Sequence, residues 1–160
     1  MNRKLAIGDV FEVQLDPGNV RFFQYLADDA TQLGSQVVRV FRETYRAGEP
    51  FDAQRVTAGE VDFYAHVFVR NGLKQGLWRK VGHSRPPTAS NVLFRDSDDY
   101  GKPAIKVSKN WYVWRVNCPF EVVGVLAPKH QRAEVGVVVP PDSLIYRMRN
   151  GNYDFVYPDY

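Results

Sequence analysis

DVFEVQLDPGNVRFFQYL, residues 9–26, decides how the rest of the chain is read. Phe11, Val13 and Leu15 fall on one side of an extended chain, and Glu12 and Gln14 fall on the other. That is the period of a half-buried strand. Asp16-Pro17-Gly18-Asn19 is turn chemistry, because Pro fixes φ, Gly accepts unusual φ, and Asp and Asn side chains bond across the bend. VRFFQYL then supplies an antiparallel partner. The stretch predicts a hairpin.

Working outward, SQVVRVF (35–41) reads as a third strand. VDFYAHVFVR (61–70) alternates most clearly, with Val61, Phe63, Ala65, Val67 and Val69 on one face. WYVWRVN (111–117), EVVGVL (121–126) and VGVVV (135–139) add strands, and YDFVY (153–157) is placed to close a sheet. Helix signals are sparse. Pro140-Pro141-Asp142-Ser143 ahead of LIYRMRNG predicts one short C-terminal helix that stops at Gly151. Arg42 to Gly59 carries the least pattern and reads as a long loop or a broken helix. No repeat, low-complexity run or linker interrupts the chain. The expectation is one domain over residues 1–160, all-β or β-rich α+β, built as a strongly bent antiparallel sheet or a partly open barrel.

Composition agrees and narrows the function classes. Ten Phe, nine Tyr and three Trp in 160 residues favour strands, since aromatic side chains fit pleated surfaces. A net charge of +3 is too mild for a nucleic-acid-binding signature. Cys118 stands alone, which excludes an internal disulfide and leaves too few thiols for a zinc or iron–sulfur site. The start, MNRKLAIGDVF, is basic but lacks the apolar stretch of a signal peptide, and no segment approaches a membrane span. A cytoplasmic protein without a membrane partner is expected.

FRDSDDYGKP (94–103) packs three aspartates into four positions and raises the question of a metal or catalytic site. A calcium loop counted from Asp96 gains Asp98 and Gly101 in the right places. It then meets Tyr100 and Val107 where ligands are required, and no helix pattern flanks it. Asp96 and Asp98 would share a face if extended, as paired acid–base carboxylates do. Acids in a turn with Gly and Pro more commonly solvate or cap it. From Phe63 to Arg95 there is no acid at all, while Arg70, Lys74, Arg79, Lys80, Arg85 and Arg95 fall inside. A basic ribbon therefore abuts the acidic knot. The two either form a bipolar docking face or pair with each other across strands.

Other chemistry is hard to assemble. His66, His83 and His130 lack metal-ligand spacing, and no GxSxG elbow, phosphate loop or dinucleotide fingerprint occurs. His66 alternates with Tyr64 and Phe68, as a half-buried structural histidine would. His83, beside Arg79, Lys80 and Arg85, is the best functional histidine. In WYVWRVN, period two puts Tyr112, Trp114 and Val116 on the core face together with Cys118. Trp111, Val113 and Arg115 take the other face, as an interface anchor or a second buried layer. No catalytic residue, metal or cofactor is expected. The candidate partner-binding residues are Asp96, Asp98, Asp99, Trp111, Arg115, Arg79, Lys80 and His83. Lys106 and Lys109 among aromatics could stack bases, but the aspartates upstream would repel a nucleic-acid backbone.

GDVFEVQL, FRDSDDYGKPAIKVSKNWYVWRVN and GVVVPPDSLIYRMRNGNYDFVYP together resemble the bacterial immunity protein 26 family, most strongly from Val92 to Pro158. The longer members of that grouping are classed with a small phosphotriesterase of the HocA type. The resemblance implies a mostly β domain that sits beside polymorphic toxins and neutralises a cognate toxin by binding it, with no catalytic residues to carry over. The alternative it implies is a phosphotriester hydrolase. That chemistry would require His83, Asp96, Asp98, Arg79 and Arg85 to converge, and they are expected not to. A β-rich module of other binding specificity is the third reading. The mild basic charge further implies that a toxin target is acidic or is not a nuclease.

Overall fold

The computed structural model describes residues 4–160; residues 1–3, part of the basic start, lie outside the described residues. β1 (Asp9–Asp16) and β2 (Asn19–Asp29) form the expected hairpin, with Val13 opposite Arg21 and Asp16 opposite Asn19. Asp16 Oδ1 accepts the Gly18 N–H at 2.8 Å and Asn19 Nδ2 at 3.0 Å, so the aspartate itself closes the turn. β3 (Ser35–Phe41) covers the other side of β2, and the two-residue β4 (Tyr45–Arg46) pairs with the start of β2. β5 (Val61–His66) pairs with β3, and β6 (Arg79–His83) with β1, which gives the order β5-β3-β2-β1-β6.

A second, four-stranded sheet follows. β7 (Leu93–Ser97), β8 (Trp111–Arg115) and β9 (Glu121–Gly124) are antiparallel, and β10 (Glu134–Val135) runs parallel to β7. The protein is thus β-rich with two sheets and one C-terminal helix, and neither sheet closes into a barrel.

β2 reads as a nearly continuous apolar run because both its faces are covered. On one face Phe23 and Tyr25 join Val38, Val40 and Phe63 against Leu144, Ile145 and Met148 of α3 (Pro141–Asn150). On the other, Val20 and Phe22 meet Phe41, Tyr45 and Val56. Each such side chain contributes about 1.5–3 kcal/mol when fully buried. Leu26 and Val37 extend the contact to Phe94 and Trp114, which fastens the second sheet to the first. Arg21 ties α3 down, with its guanidinium donating to Phe41 O, to Met148 O at 2.7 Å and to Asp62. α3 opens on Pro141 and ends at Gly151, whose φ of 84° is the left-handed stop the sequence predicts.

Several elements differ from expectation. The alternation of 61–70 ends as a strand at His66, and the chain enters a short helix, α2 (Val69–Lys74). Val67 and Val69 stay fully buried because the helix continues over the same core. The stretch from Arg42 to Gly59 holds β4 and α1 (Ala53–Thr57), the latter capped by Asp52, whose carboxylate accepts the Gln54 and Arg55 N–H groups. VGVVV contributes only Val135 to β10 and a single parallel bridge from Val138 to His66. YDFVY forms no strand. Tyr153 and Phe155 stack at 4.7 Å, and they and Tyr157 pack against the core as rings. Among the described residues no helix is long and apolar enough to cross a membrane.

Candidate functional site

The aspartate turn is mostly internal. Asp96, near the end of β7, is only 8% exposed. Its Oδ2 accepts the Tyr112 hydroxyl at 3.1 Å, and its Oδ1 accepts Tyr157 at 3.0 Å and the Ser97 N–H at 2.8 Å. Burial pushes Asp96 above the ordinary carboxylate value, against the pull of those three donors, and the charge of Asp98 adds to the rise. Asp99 is buried too. It accepts Ser108 Oγ at 2.8 Å and Asn110 Nδ2 at 3.0 Å, and these bonds hold it below its ordinary value. Only Asp98 of the three reaches solvent. The turn and surface role expected for the cluster divides: Asp99 fixes the turn from inside, Asp96 ties the end of β7 to β8 and to Tyr157, and Asp98 faces outward.

Trp111 belongs to the interior. It is 0% exposed, donates Nε1–H to Ser108 O at 2.9 Å, and lies 5.9 Å from the Tyr157 ring. Val113 and Leu126 complete that layer, so the second face of β8 is a second buried layer and Trp111 is closed to a partner. Cys118 corrects another expectation. β8 ends at Arg115, Asn117 takes a φ of 62°, and the thiol emerges exposed beyond the bend instead of joining the core face. His66 is fully buried, not half-buried, and its Nε2 meets Asp29 at 2.9 Å.

The basic ribbon does not pair with the aspartate turn. On β6, Arg79 reaches Glu12 of β1 at 3.2 Å. Lys80 Nζ lies 2.9 Å and His83 Nδ1 3.0 Å from the same oxygen, Asp9 Oδ1, while the Ala6 N–H donates to Oδ2 at 2.9 Å. Burial alone would raise Asp9, but the bonds from Lys80, His83 and Ala6 outweigh it and keep the carboxylate below its ordinary value. Gly8, at φ 101°, is required beside this corner, because a Cβ there would come within 2.6 Å of the His83 ring. Arg95 turns elsewhere, donating to Gln131 O and Ala133 O. His83 and the aspartates of 96–99 therefore bond to different partners on different sheets. Among the described residues no group of three or more His, Cys, Asp and Glu is placed to hold a metal ion.

Sequence reasoning missed the outer edge of the second sheet. β9 is its last strand, paired through Tyr112↔Val122 and Val113↔Glu121 on one side only. Beside and along it Phe120, Val122 and Val125 are 52%, 73% and 66% exposed. An unpaired edge carrying apolar side chains is what soluble proteins ordinarily blunt. Next to it opens a cleft of about 430 Å³ that includes Arg115, Glu121, Lys129 and His130. Arg115 and Lys129 form no salt bridge among the described residues, so the cleft offers unpaired cations. EVVGVL is readable as a strand. That it stands last in its sheet is not, because sheet order depends on residues far away in the chain.

No protein-family model, curated protein or solved structure matches the chain.

Proposed function

We propose that the chain acts in the cytoplasm by binding another protein, and that its specific task is to neutralise a cognate bacterial toxin, as the resemblance to the immunity protein 26 family implies. The observation that supports binding is the β9 edge with Phe120, Val122 and Val125. An extended partner segment added to that edge would satisfy its free backbone groups and cover its apolar side chains. Unpaired Arg115 and Lys129 in the adjacent cleft favour a segment that carries carboxylates. That fits an acidic target for a mildly basic inhibitor.

The test pairs the protein with toxin domains encoded beside its gene and measures affinity by calorimetry. Val122→Lys combined with Val125→Lys should weaken binding at least about 100-fold, the scale of losing a buried interface centre. Circular dichroism and melting temperature should stay unchanged. Retention of affinity within two-fold sinks the edge as the docking site. Failure of every neighbouring toxin domain to bind sinks the toxin assignment.

A second reading, hydrolysis of phosphotriesters, is favoured by the Asp9–His83 pair with Lys80 at hand. Asp9 would hold the imidazole by Nδ1, leaving Nε2 to take a proton from the water as its oxygen bonds to phosphorus, while Lys80 meets the phosphoryl oxygen and the P–O bond to the aryl group breaks, releasing the aryloxide. Turnover of a chromogenic aryl dialkyl phosphate, lost in His83→Gln, is the outcome it requires. A rate equal to the buffer rate removes it.

A further inference from the structure

A second cleft lies on the first sheet, at the opposite edge from β5, where α2 overhangs β1 and β6. It holds about 550 Å³, in the range of small-molecule sites. Its walls are Leu5, Phe11 and Leu73 on the apolar side, with Arg70, Lys74 and Lys80 as the cations. Asp9 also borders it, but that carboxylate is already held by Lys80, His83 and the Ala6 N–H.

Arg70 and Lys74 stand four residues apart on α2, on one helical face. Like charges at that spacing destabilise a helix, and neither residue has a salt-bridge partner among the described residues. The helix that carries them is nonetheless firmly placed. Gly72 lies so close to Trp78 that a Cβ would come within 2.0 Å of the indole, and Trp78 Nε1 donates to Val69 O at 3.0 Å. Val69 N–H donates to Gln36 Oε1 at 3.1 Å. Lys80 is positioned from below by Asp9. Two uncompensated cations on a rigid support, facing a third across an apolar hollow, give the stability cost no structural return.

We propose that this cleft binds a small amphipathic anion, whose carboxylate or phosphate head is held by Arg70 and Lys74 with Lys80 alongside, and whose hydrocarbon body lies on Leu5 and Leu73, above the fully buried Phe11. The guanidinium of Arg70 suits a flat or tetrahedral oxyanion, and the unpaired Lys74 ammonium adds a second charge to offset it, while Lys80 remains paired with Asp9 at the cleft's edge. The site is independent of the β9 edge, which belongs to the other sheet, and a neutral phosphotriester would leave its cations unanswered.

The experiment is a titration of isotope-labelled protein with octanoate, octyl phosphate and neutral octyl glucoside, followed by amide shifts. Saturable shifts are expected for both anions, clustered at Leu5, Asp9, Leu73, Lys74 and Lys80, with none for the glucoside. The tighter of the two anions assigns the head group. Arg70→Gln with Lys74→Gln should weaken binding at least ten-fold. Lys102→Gln with Lys106→Gln, a charge-matched change in the aspartate-turn region, should leave it within two-fold. Equal binding of the glucoside, shifts scattered over the surface, or undiminished affinity in the Arg70/Lys74 variant would overturn the proposal.

Discussion

Asp29 and Asp96 are both buried at or near strand ends, one finishing β2 in the first sheet and one in β7 of the second, yet they hold protons with opposite strength. Asp29 is surrounded by N–H donors. Its Oδ2 meets His66 Nε2 and Trp114 Nε1, both at 2.9 Å, and its Oδ1 accepts the Asn117 N–H at 3.0 Å and the Gln32 N–H at 3.3 Å. Burial would raise it, but these four donors outweigh burial and hold it below its ordinary value of 3.8. Asp96 has two tyrosine hydroxyls and one N–H, with Asp98 close by, and there burial wins. Depth alone does not set the charge of a buried carboxylate. The number and kind of donors do. The difference also tracks duty: Asp29 bonds to both sheets and to the bend after β8, whereas Asp96 ties β7 to its neighbour β8 and to the C-terminal segment through two tyrosine hydroxyls.

The hardest test of this contrast is Asp29→Ala. It strands the buried His66 and Trp114 N–H groups and frees the Asn117 bend, where the two sheets join. Removing one partner from such a buried network costs about 3–5 kcal/mol. Urea denaturation should show that loss. A loss under about 1 kcal/mol would mean that Leu26, Val37, Phe94 and Trp114 hold the sheets together by packing alone.

Acid titration sharpens the comparison further. The lowered Asp29 contributes stability that is present above 3.8 and is lost as pH falls through its folded value. The raised Asp96 does the reverse: its contribution is full below 3.8 and is lost as pH rises through its folded value. The penalty for Asp29→Asn should therefore grow with pH in a window below 3.8. The penalty for Asp96→Asn should shrink with pH in a window above it. His66 adds to the acid sensitivity, since burial, only partly opposed by Asp29, lowers it from 6.5. The unfolded chain takes up that proton first, so stability of the native protein should begin to fall below about pH 6.5. Parallel slopes for the two asparagine variants, in melts across this range, would show that donors do not distinguish the sites.

How much of this was legible depends on reach along the chain. The β1–β2 hairpin rests on an aspartate and a glycine two residues apart, and the end of α3 rests on Gly151, so neighbours in sequence reveal both. The edge of α2 was hidden, because Val67 and Val69 remain core residues whether the backbone is strand or helix. α1 was readable in principle from Asp52 as its cap, but five residues give little period to detect. At the candidate sites the missing link was distance. His83 looked like a functional histidine from its own neighbours, but its carboxylate, Asp9, lies 74 residues away and gave no local sign. Trp111 and Cys118 misled for a related reason, since period two holds only while the strand lasts and says nothing about what covers its second face.

The smallest expected effect falls on Asp98, and it isolates the neighbouring charge from burial. Asp98 is exposed, and its backbone N–H bond to Asn110 O, at 3.4 Å, survives replacement of the side chain. Asp98→Ala should change stability by no more than about 0.5 kcal/mol, the ordinary range for a surface site. It should nevertheless move Asp96 toward its ordinary value, because one of the charges that raises it is gone. Carboxyl shifts of Asp96 followed by NMR would register the change even where melting does not. An unmoved titration would leave burial as the whole cause at Asp96. A stability loss above about 1 kcal/mol would mean that the exposed carboxylate also braces the turn. It is also the variant with which to probe docking at this turn, since replacing Asp96 or Asp99 would disturb the bonds that hold the end of β7 and the turn in place.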